Sequence, residues 1–146
     1  MPVLHTGFWR IPIGVLGGAQ GIGLRIAKAC LKEGMQVVIA DIKAEQLTVA
    51  ESTLDNPENV LAIELDVSDR DAMEAAADKT EAVFEKVHVV CNNAGISPGG
   101  PVVSVTWENW HRTMDTDLAD WLGSVHRRCW MHSTGSSVNN FGLTPI

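Results

Sequence analysis

Gly17-Gly18-Ala19-Gln20-Gly21-Ile22-Gly23 is the stretch on which the fold turns. Ahead of it runs a short apolar segment, Ile13-Gly14-Val15-Leu16. Behind it Ile22, Ile26, Ala29 and Cys30 fall at i, i+4, i+7 and i+8, one stripe of a helix that Gly34 stops. A chain that leaves a buried strand, turns through glycines and enters a helix gathers backbone N–H groups and the positive end of the helix dipole at one point, which suits a pyrophosphate. The same glycines also read as a plain flexible turn, and the strand before and helix after are what favour the phosphate. No Lys-Ser/Thr pair follows them, so a Walker loop is excluded.

Working outward, the hydrophobic period alternates between strand and helix as far as Val125. Met35–Ala40 reads as a buried strand ending at Asp41. A helix follows with Ala44, Leu47, Ala50 and Leu54 on one side, closed by Asn56-Pro57. Val60–Leu65 is the next strand and ends at Asp66. Ser68 with Asp71 three residues on resembles a capping box ahead of a helix carrying Met73, Ala76, Ala77, Thr80, Val83, Phe84 and Val87. Val87–Cys91 reads as a fourth strand. After Asn92-Asn93-Ala94-Gly95 and a Pro/Gly-rich loop, a last helix from about Thr106 carries Trp107, Trp110, Met114, Leu118, Trp121 and Val125. Right-handed crossovers turn this order into an α/β fold: a Rossmann-like doubly wound parallel sheet of about four strands in the order 3-2-1-4, incomplete, with its ligand crevice at the carboxyl ends of the strands. The organisation expected is an atypical lead over residues 1–13, a dinucleotide-binding domain over 14–125 and an atypical tail over 126–146.

Composition agrees with a single domain: 146 residues, 45% hydrophobic, with a net charge of -7. Residues 41–120 hold five basic and seventeen acidic residues, a surface that repels phosphate backbones, so nucleic acid is excluded as a partner. Three widely spaced cysteines, Cys30, Cys91 and Cys129, make no disulfide framework and suit a reducing compartment. No apolar run approaches a membrane span or a signal core, and the expected setting is cytoplasmic.

Two acids stand where a nucleotide would need them, and each has an ordinary structural alternative. Asp41, 18 residues beyond Gly23, can accept hydrogen bonds from both ribose hydroxyls and would repel a 2′-phosphate, which favours NAD over NADP. It serves equally well as the N-cap of the following helix. Asp66 either meets an adenine amino group or begins the turn into Ser68.

Taken together these residues resemble the short-chain dehydrogenase/reductase family. Gly17-Gly18-Ala19-Gln20-Gly21-Ile22-Gly23 is similar to its glycine motif, Asp66-Val67 to its adenine-contacting pair, and Asn92-Asn93-Ala94-Gly95 to the signature after its fourth strand. The resemblance covers about residues 14–125. It implies an NAD-dependent oxidoreductase that transfers hydride between a nicotinamide and a small alcohol or ketone. The cofactor would be held by Gly17, Gln20, Gly21, Ile22, Gly23, Asp41, Ile42, Asp66, Val67, Asn93, Ala94 and Gly95, with Asn92 tying neighbouring strands. No metal is implied.

Several features depart from that family. Leu16 stands where it has Thr, and Asp117 aligns with its active-site Asn, so Asp117 is the one catalytic candidate. A carboxylate on that helix must raise its pKa, find a donor, or face water. The family's acid/base is a Tyr with a Lys four residues on and a Ser beside it. This sequence has no tyrosine, and no lysine after Lys86. Ser133, Ser136 and Ser137 are therefore only polar residues in a tail unlike the family's fifth strand. The expected protein is accordingly a truncated or frame-altered family member, inactive as this chain alone; the alternative is a catalytically silent dinucleotide-binding fragment or interaction module. His126, Cys129 and His132 have partial metal-ligand spacing without a fourth ligand, so no zinc site is expected. The Trp107/Trp110/Trp121 stripe suits core or subunit contact more than a ligand platform, and because the matching helix of the family commonly packs between subunits, the resemblance implies a homodimer or an exposed apolar patch.

Overall fold

In the computed structural model, residues 11–55 and 57–125 are described, with side chains to residue 118. Strand β1 (Pro12–Leu16) leads through the glycine turn into α1 (Gly21–Lys32), and β2 (Gln36–Asp41) into α2 (Ala44–Thr53). Strand β3 (Val60–Glu64) is followed by α3 (Arg70–Phe84), and β4 (Val89–Cys91) by α4 (Trp107–Val125). The sheet is parallel throughout in the order β3-β2-β1-β4, as expected from the sequence. The chain steps outward from β1 through β2 to β3 and then crosses back past β1 to β4, and this reversal of direction with right-handed crossovers puts α1 and α2 on one face and α3 and α4 on the other.

Side chains alternate across the central strands to fill two cores. Val37 and Ile39 of β2 join Ile13 and Val15 of β1 against Ala27, Leu31, Leu47 and Ala50. Val38 and Ala40 face the other way, onto Leu16, Ile63, Leu65, Val67 and Phe84. Val15, Val37 and Ile39 are the largest fully buried side chains, each worth about 1.5–3 kcal/mol of transfer free energy. The sheet is thus anchored under the strand ends that carry the site.

The helical stripes sit differently from the periodic reading. Along α1 the buried residues are Gly23, Ala27 and Leu31, while Ile22 is 73% exposed. Small residues at i and i+4 let α1 lie close on the sheet, and that close approach decides the face, not the largest side chains. Helix α3 begins one residue later than the expected capping box allows: its N-cap is Asp69, whose Oδ1 accepts from Ala72 N–H at 3.0 Å. The hydroxyl of Ser68 instead donates to Asp66 at 2.6 Å. Val83 is exposed, and Val87 is buried outside any strand, because Glu85 at φ 65° ends α3 and β4 then has only three residues. Helix α4 packs on α3, with Trp107 76% and Trp110 48% exposed, so neither belongs to a core. Among the described residues no helix is long and apolar enough to cross a membrane.

Candidate functional site

Three segments meet at the carboxyl end of the sheet: the turn after β1, Asp41 at the end of β2, and Asn93-Ala94-Gly95 after β4. Gly17 and Gly21 adopt φ of 65° and 56°, which L side chains rarely take. The glycines differ in what surrounds them. A Cβ on Gly17 would stand 2.9 Å from Ala94 Cα, and one on Gly18 would stand 2.7 Å from the Val15 carbonyl oxygen. One on Gly23 would collide with the Gly17 carbonyl oxygen and come within 2.7 Å of the Asn93 amide nitrogen. Beside Gly21 there is nothing within 4 Å. The turn is therefore closed toward the protein and open at the first turn of α1.

That first turn has no side-chain cap from Gln20 and no acidic residue. Its leading N–H groups have no carbonyl four residues back to receive them within the helix, so they remain donors for an anion. Asp41 reaches into the same turn, its Oδ2 accepting from Ala19 N–H at 3.3 Å and its Oδ1 from Lys43 N–H at 3.3 Å. It is not the helix cap; α2 is preceded by Lys43, without a side-chain cap. Of the two readings open in the sequence, the carboxylate lies with the glycine turn.

Asn93 closes the other side. Its Nδ2 donates to the carbonyl oxygens of Leu16 at 3.1 Å and Gly17 at 3.0 Å, joining the end of β4 to the start of the turn. The resemblance implies strand-tying by Asn92 and backbone contact by Asn93; the Asn93 side chain adds a tie of its own that the sequence did not announce. Nothing in the pattern Asn-Asn distinguishes the two; only their alternation across the strand end does. Asn93→Ala would leave both carbonyls without this donor and is expected to destabilise the fold by about 2 kcal/mol, measurable as a lower midpoint in urea unfolding.

The remaining candidates fall in three places. Ile22 and Ile42, 73% and 58% exposed, stand on either side of the turn and of Asp41 in the chain, uncovered by the protein. Asp66 receives Ser68 N–H at 2.9 Å and the Ser68 hydroxyl on the same Oδ1, so it forms the turn into α3, while Val67 is buried in the core. Asp117 is exposed, and its Oδ1 accepts from Ile96 N–H at 2.9 Å, close beside Gly95. The carboxylate thus finds a donor and faces water, tying the loop after β4 to the middle of α4. Ser133, Ser136 and Ser137, and the trio His126, Cys129 and His132, lie outside the described residues. Among the described residues no three His, Cys, Asp or Glu could hold a metal. Cys30 and Cys91 are free and half-buried. Burial raises the pKa of both thiols, and the charge of Cys91 adds to it for Cys30, so both stay protonated and unreactive at neutral pH.

A family model described as Enoyl-(Acyl carrier protein) reductase matches residues 17–140. The galactitol 2-dehydrogenase of Agrobacterium fabrum is 32% identical over 104 residues, 71% of this chain and 40% of that protein. The chain belongs to the short-chain dehydrogenase/reductase family. The NADP-dependent (R)-specific alcohol dehydrogenase of Lentilactobacillus kefiri is a further relative, 34% identical over 71% of this chain and 41% of its own. Among solved structures, a putative short-chain dehydrogenase from Novosphingobium aromaticivorans superposes with a TM-score of 0.78 at 32% identity, covering 81% of this chain and 44% of that one. A short-chain dehydrogenase/reductase from Burkholderia phymatum in complex with NAD superposes with a TM-score of 0.76 at 27% identity, covering 81% of this chain and 42% of that one. The chain therefore spans about two-fifths of the length of these dehydrogenase/reductases. The family match also continues past Val125 to residue 140, beyond the point where the resemblance read from the sequence ends. Family members bind nicotinamide dinucleotides, and the NADP-dependent relative shows that the family as a whole does not fix which one.

Proposed function

We propose that this chain forms the NAD-binding half of an oxidoreductase that moves hydride between a nicotinamide and a small alcohol or ketone. The observation that carries the reading is the pairing of an uncapped α1 N-terminus with a carboxylate, Asp41, hydrogen-bonded into the same glycine turn. The donors fit a pyrophosphate, and the carboxylate fits a ribose with both hydroxyls free. The residues that would hold the dinucleotide are Gly17, Gln20, Gly21, Ile22 and Gly23 at the phosphates, Asp41 and Ile42 at the ribose, Asp66 and Val67 at the adenine, and Asn93, Ala94 and Gly95 along the β4 side. When bound, the nicotinamide supplies the carbon that accepts or gives hydride. Half-buried free thiols suit a reducing cytoplasm.

These 146 residues contain no tyrosine, so the phenol that would hold the substrate oxygen's proton must come from outside them. Two outcomes are expected of the purified chain. NADH titration enhances nicotinamide fluorescence and quenches tryptophan with a weak dissociation constant, on the order of 0.1 mM, because only the adenosine end is provided for. No alcohol is oxidised with NAD. Turnover by the pure chain, or no NADH binding at all, would overturn the reading.

A further inference from the structure

The order of the strand ends sets the direction in which a dinucleotide runs across them. Strand β1, with the glycine turn, stands between β2, which ends at Asp41, and β4, which is followed by Asn93-Ala94-Gly95. A dinucleotide carries its pyrophosphate between two nucleosides. With the pyrophosphate at the turn and the adenosine ribose at Asp41, the second nucleoside runs on toward the β4 side, across the point where the strand order reverses. Ala94 borders the turn on that side, its Cα standing 2.9 Å from where a Cβ on Gly17 would lie.

The carboxylate of Asp117 lies against the next two residues of the chain. Its Oδ1 accepts from Ile96 N–H at 2.9 Å, and a Cβ on Gly95 would stand 3.3 Å from the same oxygen. Asp117 is exposed, and among the described residues no cation pairs with it. Residues 92–106, which lead away from β4, carry no charge of their own, so the field beside Gly95 is set by this carboxylate. The two redox forms of a nicotinamide dinucleotide differ in charge at the ring: the oxidised ring is a cation and the reduced ring is neutral. A carboxylate on the nicotinamide side therefore attracts one form and not the other, and it needs no enclosing pocket, because charge acts across several ångströms. We propose that Asp117 selects the redox state of the cofactor, favouring the oxidised dinucleotide over the reduced one. This rests on the NAD-binding reading above.

Calorimetric titration of the 146-residue chain with NAD+ and with NADH tests it. Asp117→Asn removes the charge and keeps an oxygen to accept from Ile96 N–H, so the tie between α4 and the loop stays. The ratio of dissociation constants, NAD+ over NADH, is expected to rise about threefold in this variant at low ionic strength. Asp115→Asn takes an equal charge from α4, about 200° round the helix, and should leave the ratio as it is. Salt gives a second reading. Between about 0.01 M and about 1 M the screening length falls from about 30 to about 3 Å, so the wild-type ratio should itself rise about threefold and meet that of Asp117→Asn. An unchanged ratio in Asp117→Asn, an equal rise in Asp115→Asn, or a wild-type ratio indifferent to salt overturns the proposal while leaving NAD binding in place. The wild-type salt series decides the matter even if the variant does not fold. Failure of the wild type to bind either form takes down the NAD reading and this selection together.

Discussion

Gly23→Ala is expected to destabilise the protein by about 3 kcal/mol and to abolish NADH binding, whereas Gly21→Ala should cost about 1 kcal/mol and leave weakened binding measurable. The two glycines lie two residues apart in one motif, and the structure separates their roles. At Gly23 a methyl group would collide with the Gly17 carbonyl oxygen and press on the Asn93 amide. That amide is the donor for Leu16 and Gly17, so relief by moving Asn93 would break both bonds and open the junction between β1 and β4. Relief by lifting α1 would instead unseat Ala27 and Leu31, which share its buried face. Either path disturbs the turn that presents the N–H donors. Gly21 has open space and a φ of 56°, so alanine there meets only its own backbone strain. Urea unfolding of both variants, followed by NADH titration of whatever remains folded, checks the difference.

How much of this was legible beforehand depends on whether a feature is local in the chain. The parallel sheet, its order and the glycine turn followed from alternating periodicity and crossover handedness, and the structure has them. The face of α1 did not follow, because the close seating of Gly23 and Ala27 on the sheet is a tertiary fact that a stripe of large residues conceals. The short β4 was missed for a related reason. Val87 is apolar and buried as a strand residue would be, but Glu85 in the left-handed region reverses the chain just before it, and no propensity marks a glutamate for that conformation. The two asparagines show the sharpest limit. Their types announced a polar junction after β4, and only the direction of each side chain says that Asn93 ties the turn.

Asp117 was partly legible. The sequence placed a carboxylate on α4 and left it three ways to avoid an unpaired buried charge; the structure combines two of them, a backbone donor and exposure to water. The tail beyond Val125 was read as foreign to the family, yet the family match runs on to residue 140.

Asp41 is the residue at which cofactor choice is expected to turn. Asp41→Ala should weaken NADH binding about tenfold and strengthen NADPH binding about tenfold, so that the ratio of the two affinities shifts by about a hundredfold toward NADPH, roughly 2.7 kcal/mol. Two separate effects add in that ratio. A carboxylate accepting from neutral ribose hydroxyls makes charge-assisted bonds worth about 1.5–3 kcal/mol, all lost with alanine. The same carboxylate opposes a 2′-phosphate by like charge, and removing it lifts that opposition. The variant also loses its bonds to Ala19 and Lys43 N–H, which at 3.3 Å are long and only part-buried or exposed, so the turn should keep its shape and the fold most of its stability. Asp41→Asn separates the effects. The amide keeps an acceptor for one hydroxyl and for Ala19 N–H but carries no charge, so it should retain part of the NADH affinity while admitting NADPH nearly as well as alanine does. Paired titrations of NADH and NADPH against wild type and both variants read the outcome directly. An unchanged affinity ratio in Asp41→Ala would mean that this carboxylate serves the glycine turn alone and never meets a ribose.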